Sequence, residues 1–231
     1  MKITFSTKEH LLGAIPSPVK ANKLLPDYFK AIKPQHSDHP SASTIKRCIP
    51  FLEASSAGYI IPLWADLYVT AESGELTFEF PQGLAMESSM STHSHAQIKG
   101  HPLENNLYGD MPWKFHSPWV IETDDNVSCI FTSPLNHLET RIKILDGVVD
   151  TDNYYNNINF PFLWTGGDGK FLIKQGTPLV QVIPFIRTDY ELVVCENDEE
   201  RITNTKAALS AVMSGAYKNK FYHRRKSSEE E

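Results

Sequence analysis

A mainly β fold is predicted by three features of the sequence. Short runs rich in Val, Ile, Phe and Tyr recur from residue 44 to residue 195, and several alternate apolar with polar residues. Clusters of Gly, Asp, Asn and Ser separate them. Helical periodicity is confined to the two ends, so the expected architecture is a distorted β-sandwich or barrel with short helices at both termini. A chain of 231 residues can bury a sizeable core, and no internal repeat divides it. One β-dominated domain is expected over residues 1–217, followed by a basic and then acidic flexible tail over 218–231.

The elements are predicted in order as follows. Residues 2–6 read as a first short strand. Ser17 and Pro18 have the form of a helix N-cap and first turn. Ala21, Leu24, Leu25, Tyr28 and Phe29 recur at helical spacing, so a helical segment is predicted over 17–32, interrupted at Pro26. Residues 33–43 form a polar loop. Stretches 44–50 and 58–63 are β-like, with a compact turn, FLEASSA, between them. Stretches 64–71 and 75–80 alternate, and Ser73-Gly74 between them is a hairpin signal. Residues 81–118 show no regular pattern, a length uncommon for a loop without a role. Stretches 119–122 and 127–132 read as a second hairpin. Strands continue at 141–145, 157–162, 171–174 and 179–187, with Gly166, Gly167 and Gly169 as a hairpin turn, and 190–195 reads as the last. A helix is predicted over 198–217, capped by Asn197 or Asp198, with Ile202, Leu209, Val212, Met213 and Tyr217 on its buried face.

Composition narrows the function classes. Hydrophobic residues make up 41% and charged residues 22% of the chain, an ordinary globular balance. The net charge of -6 gives no overall pull toward nucleic acid or an anionic membrane, so neither is an expected partner. Cys48, Cys129 and Cys195 are odd in number and far apart, which points to a reducing compartment, the cytoplasm. No signal peptide is expected from MKITFSTKEHLL, and no apolar run reaches membrane-spanning length.

Two stretches offer candidate chemistry. His93 and His95 are one residue apart, and on a strand they would share a face able to hold a metal, with His101, His116 or His137 as further ligands. Oxygenases of the cupin type use such a pair, but with a carboxylate a few residues on, where this chain has Ala96, Gln97, Ile98 and Lys99. The serine-rich surroundings suit an exposed loop, and the cofactor is left unassigned. The second stretch is 145–187, the densest run of Gly, Asp, Asn and Tyr. There a strand ends in Asp150, and Asp152, Asn153, Tyr154 and Tyr155 follow. An Asp at such a turn can orient a water as general base or hold a sugar hydroxyl, and a neighbouring Tyr can stack on a ring. The same residues can form an Asx turn that bonds its own backbone. No G-x-S-x-G elbow, P-loop or G-x-G-x-x-G occurs.

The segment GVVDTDNYYNNINFPF, followed by FLIKQGTPLVQVIPF, resembles the closing part of the trimeric dUTPase and dCTP deaminase superfamily. That superfamily shows G-[VI]-[VI]-D, a Tyr within a few residues, a strand, a Gly-containing turn and a Gln in an apolar strand. Ser56-Ala57-Gly58-Tyr59 resembles the start of its S-A-G-Y-D-L motif, with Ile60 at the Asp position. Thr132-Ser133-Pro134-Leu135 stands at the place of its phosphate motif, without the Arg and second Ser. A helix replaces its glycine-rich C-terminal arm. The resemblance spans residues 56–187 and implies a β-clip-like fold. It also implies Asp150 as the water-activating carboxylate, Tyr154 or Tyr155 as the stacking ring, and Asp152, Ser133 and Gln181 as ligand-binding positions. Without the phosphate-handling residues, nothing visible would neutralise a triphosphate. Over most of its length the chain is also similar to an uncharacterised family of tailed phages and bacteria, on patterns such as LLPDYFK and TIKRCIPFLEASSAGYIIPLWADLYV. That implies a phage-encoded origin, with the host cytoplasm or the virion as location, and no activity.

The expected function is a non-catalytic binding or structural module on a dUTPase-like β scaffold, partnered by copies of itself or by a phage particle. A nucleotide- or sugar-binding enzyme or sensor using the Asp150 turn is the alternative. A histidine-ligated oxygenase of cupin type is the third possibility.

Overall fold

The computed structural model describes residues 1–38, 43–81, 89–97, 99–100, 108, 112–211 and 215–223. The chain groups into two compact units, Met1–Pro26 with Ser55–Arg187, and Asp27–Ala54 with Thr188–Glu231. Described residues of the first unit form a mainly β structure of three antiparallel sheets, none closed into a barrel.

In the first sheet, β1 (Ile3–Ser6), β7 (Trp113–Thr123), β11 (Asn157–Trp164) and β9 (Ile142–Ile144) lie in that order, and β6 (Met90–Thr92) pairs with the start of β7. The second runs β10 (Gly147–Val149), β8 (Val127–Thr132), β13 (Pro178–Ile186), β3 (Tyr59–Pro62), β2 (Val19–Lys20). The third is β12 (Gly169–Ile173), β4 (Leu67–Glu72) and β5 (Glu75–Glu79). As the alternation predicts, β4 and β5 bury Leu67, Val69, Ala71 and Leu76 and leave the intervening residues wet or half-wet. Ser73 (φ 52°) and Gly74 (φ 86°) turn between them with both central residues left-handed.

One apolar core draws on all three sheets. Phe115 and Phe162 stack at 4.5 Å between ring centroids, and Trp64 meets Phe115 edge-on at 5.8 Å. Phe131, Val180 and Val182 enter from the second sheet, Leu67 and Val69 from the third. Removing a ring at this junction strips contacts from several strands at once. Phe162→Ala is therefore expected to lower the unfolding free energy by about 3–5 kcal/mol, measured by urea denaturation.

Several expectations are corrected. β7 and β8 do not form the second predicted hairpin, because they belong to different sheets and the chain crosses between them near Asn126 (φ 62°). The reason lies in β8, where Val127, Ser128, Cys129 and Phe131 are all buried, the profile of a central strand flanked by β10 and β13. Gly166–Gly169 is likewise a passage between sheets rather than a hairpin turn, since β11 and β12 do not pair. β7 begins at Trp113, inside the stretch predicted to be irregular. The predicted helix over 17–32 divides into β2, a 3-10 turn at Ala21–Leu24 and α1 (Asp27–Ala31). β2 is recruited by pairing with β3, which outweighs weak local helical preference.

The strand predicted over 44–50 and the FLEASSA turn are instead a 3-10 turn, Ile45–Arg47, and α2 (Ile49–Ser56). Thr44 Oγ1 accepts from the Lys46 amide, and Pro50 sits in the first turn, where no intrahelical N–H is needed. In the second unit Phe29 stacks on Phe51 at 5.3 Å, and the Lys46 ammonium donates to the Phe29 carbonyl at 2.7 Å. Residues 190–195 are not a strand. They carry no regular secondary structure, with Tyr190, Leu192 and Val194 87%, 87% and 88% exposed. The C-terminal helix is two: α3 (Glu199–Ser210), capped by Asp198 Oδ1 accepting from the Arg201 amide, and α4 (Ala216–Lys220). No residue of α3 is buried, so the predicted buried face is not there among the described residues. Val212, Met213, His101 and the tail from Arg224 onward lie outside the described residues.

Candidate functional site

The Asp150 turn is built by β10 ending against β8. Asp150 O accepts from the amides of Asn153 (3.1 Å) and Tyr154 (3.0 Å), which closes the turn. Thr151, 1% exposed, anchors it from below, with its hydroxyl 2.8 Å from that of Thr123 and donating to Cys129 Sγ at 3.4 Å. Burial pushes the Cys129 thiol up, against the pull of the Thr151 hydrogen bond, and with 0% exposure the side chain packs in the core.

Around the turn two carboxylates share one guanidinium. Arg187, at the end of β13, makes a two-nitrogen contact with Asp152, whose side chain is 5% exposed. The Asn126 amide adds a third bond to Asp152 at 2.8 Å. The Arg187 hydrogen bonds hold the Asp152 carboxyl below the usual carboxylate range, outweighing burial, and Asn126 helps. Arg187 is pushed up in turn, chiefly by Asp152. Asp150 is different. Its side chain is 61% exposed, its Oδ1 accepts from Ser128 Oγ at 2.6 Å, and it lies 3.3 Å from Arg187 Nη1. Asp152 is thus a buried structural anchor, and Asp150 an exposed carboxylate already partnered on one oxygen. Arg187 and Ser128 had no signal in the sequence as site partners, because each reaches the turn from another strand.

Ser133 and Gln181 lie apart from this cluster in what they bond. Ser133 Oγ accepts from the Ile144 amide at 2.9 Å. Gln181, 0% exposed, accepts from the Leu135 amide and donates to the Ala57 carbonyl, both at 2.7 Å. It therefore ties the 132–135 loop to the start of β3. His93 and His95 are not alternate residues of one strand: His93 follows β6 and hydrogen-bonds Gln97 Oε1 at 3.0 Å, whereas His95 opens a 3-10 turn, His95–Gln97. Among the described residues no group of three or more His, Cys, Asp or Glu could hold a metal.

The two tyrosines of the turn lead to a site that strand alternation built. Tyr154 and Tyr155, 46% and 72% exposed, stand on the rim of a cleft of about 840 Å³. Its floor is the face of β7 opposite Phe115 and Ile121, carrying Lys114, His116, Pro118 and Val120. β11 adds Asn157 and Asn159 beside a bulge, and β6 adds Ser91, whose Oγ is 2.8 Å from His116 Nε2. Ser6, Thr7 and Lys8 close the other side. Asp150, Ser133 and Gln181 do not line it. Lys114 escaped sequence reasoning and His116 was considered only as a metal ligand; the signal was the alternation in WKFHSPW, obscured by the irregular stretch before it.

No known family profile and no curated protein matches the sequence. Among solved structures, the dUTPase of phage phi11 of S. aureus is similar at 10% identity and a TM-score of 0.37, over 86% of this chain and 99% of that one. The dUTPase of Staphylococcus bacteriophage 80alpha is similar at 10% identity and a TM-score of 0.36, over 86% of this chain and 98% of that one. The likeness is remote.

Proposed function

We propose that the chain is a non-catalytic binding module whose ligand, a sugar or nucleotide, lies in the cleft beside the Asp150 turn. The observation that supports this most is the division of labour at the turn. Tyr154 and Tyr155 reach a cleft of about 840 Å³, within the size range of small-molecule sites, while the carboxylate that would do chemistry lies outside its lining. Asp150 spends one oxygen on Ser128 and Arg187. The turn that carries the tyrosines is closed by the Asp150 main-chain carbonyl, which accepts from Asn153 and Tyr154 and which alanine would retain.

A thermal-shift screen over sugars and nucleotides, run on the native chain, Tyr155→Ala and Asp150→Ala, tests it. A stabilising ligand is expected to keep its effect with Asp150→Ala. Tyr155→Ala is expected to weaken binding about tenfold, the loss of about 1.4 kcal/mol that a stacked ring supplies. The reverse pattern would move the site to the Asp150 carboxylate and favour an enzyme or sensor.

A second reading, self-association or docking on a phage particle, is supported by one further observation. Residues 190–194 expose Tyr190, Leu192, Val193 and Val194 together, an apolar row uncommon on a solitary subunit. Sedimentation of the full chain is expected to show a species larger than a monomer, dissociated by Leu192→Ser with Val194→Ser. A monomer at tens of micromolar would remove the self-association half of this reading.

A further inference from the structure

We propose that the ligand of the β7 cleft is an anionic sugar, with a phosphate or carboxylate group held by Lys114 and Lys8. The inference rests on the binding-module reading and adds the chemical class of the ligand.

Charge carries the first half. Acidic residues outnumber Lys and Arg by 28 to 22 along the chain, yet no carboxylate lines this cleft among the described residues. Lys114 and Lys8 both do, and among the described residues neither makes an ion pair with a carboxylate. Lys8 is exposed, but Lys114 is half-buried on the floor of the sheet. With no carboxylate in the lining, an anion in the cleft would supply the counter-charge that both ammonium groups lack.

The floor carries the second half. β7 pairs with β6 over 113–115, with β1 over 120–123 and with β11 at 113–116 and 120. In the gap between these ladders Ser117 O accepts from Asn157 Nδ2, Pro118 O from Thr7 Oγ1 and Trp119 O from Ser117 Oγ, while the Trp119 amide donates to Ser117 Oγ. The backbone groups of β7 are therefore largely committed. Few are left to read the edge of a planar base. What faces the ligand is a set of short side chains that both donate and accept. The Asn159 amide has no partner among the described residues, the Ser91–His116 pair stands beside it, and the Tyr155 ring is open at the rim. Hydroxyls of a sugar ring match such groups, and its C–H face matches a tyrosine.

Isothermal titration of the full chain at low salt, with glucose 6-phosphate, glucuronate, glucose, uridine monophosphate and inorganic phosphate as probes, tests the proposal. Glucose 6-phosphate or glucuronate is expected to bind at least about tenfold more tightly than glucose, and the preference is expected to fade as salt rises. Lys114→Met is expected to abolish the preference and Lys8→Met to reduce it. Lys143→Met, at an exposed position of β9 away from the cleft, is expected to leave it unchanged. Lys8 is exposed, so its variant keeps the test decisive even where Lys114→Met folds poorly. Equal binding of glucose and glucose 6-phosphate overturns the inference and leaves the binding-module reading standing. Equal or tighter binding of uridine monophosphate or inorganic phosphate overturns the sugar assignment. If no charged sugar binds, the inference is wrong, and the glucose arm reports on the binding module separately.

Discussion

Gly58→Ala is expected to destabilise the protein by about 3–5 kcal/mol, a large share of the net stability of a domain. Two causes add. Gly58 holds φ at 64°, a left-handed conformation that costs an L side chain about 1–2 kcal/mol. A Cβ there would also stand 2.0 Å from the Val182 carbonyl oxygen, in the backbone of β13. β13 is the middle strand of its sheet, between β8 and β3, and cannot retreat without breaking both ladders. Gly74→Ala separates the two causes. Gly74 has φ at 86° but open space around its Cβ position, so about 1 kcal/mol is expected there. Urea denaturation of the two variants measures the difference. Equal losses would show that the close approach of Gly58 to β13 does not matter.

Arg187→Met is expected to weaken the pH dependence of stability, with its largest effect near neutral pH. In the native chain Asp152 is held below its ordinary value by Arg187. A carboxylate depressed on folding stabilises above its unfolded pKa, about 4, and loses that contribution as pH falls through its folded value. Glu139, depressed by its bonds from Arg141, and Asp66, depressed by Gln175 and Lys174, work in the same direction. Without the guanidinium, Asp152 loses the largest of the contacts that lower it and keeps the Asn126 amide against burial. Its contribution to stability at neutral pH is then smaller. Urea midpoints between pH 3 and pH 8 are expected to fall on acidification for the native chain. For Arg187→Met the midpoint is expected to drop most at pH 7, and Asp152→Asn in that background to restore part of the loss. Parallel pH curves for the two proteins would show that the pair carries no such linkage.

What the sequence reveals, and what it hides, divides along the line between local and distant causes. β4 and β5 are legible because each has one wet face and a two-residue turn whose residues tolerate left-handed backbone. The pairing of β8 is not, because its partners lie far along the chain and its apolar run says only that it is buried. α2 was hidden by an apolar, serine-rich composition that suits a turn as well as a short helix. Residues 190–195 alternate and carry β-branched side chains, yet a strand needs a neighbour, and none of the described elements pairs with them. The site follows the same rule. Tyr154 and Tyr155 could be picked out from a turn-rich segment. Arg187 sits 35 residues beyond Asp152 and meets it only through the sheet. Lys114 and His116 acquire meaning only once β7 is known to present them on one face beside β11.

Ligand binding in the proposed module belongs to the β7 cleft and not to the Asp150 carboxylate. Amide chemical-shift mapping during titration with glucose 6-phosphate tests it most directly. Perturbations are expected to cluster at Ser91, Lys114, His116, Tyr155 and Asn159, with Ser128, Asp150 and Asp152 little changed. Perturbations centred on Ser128, Asp150 and Asp152, with the β7 residues still, would contradict it.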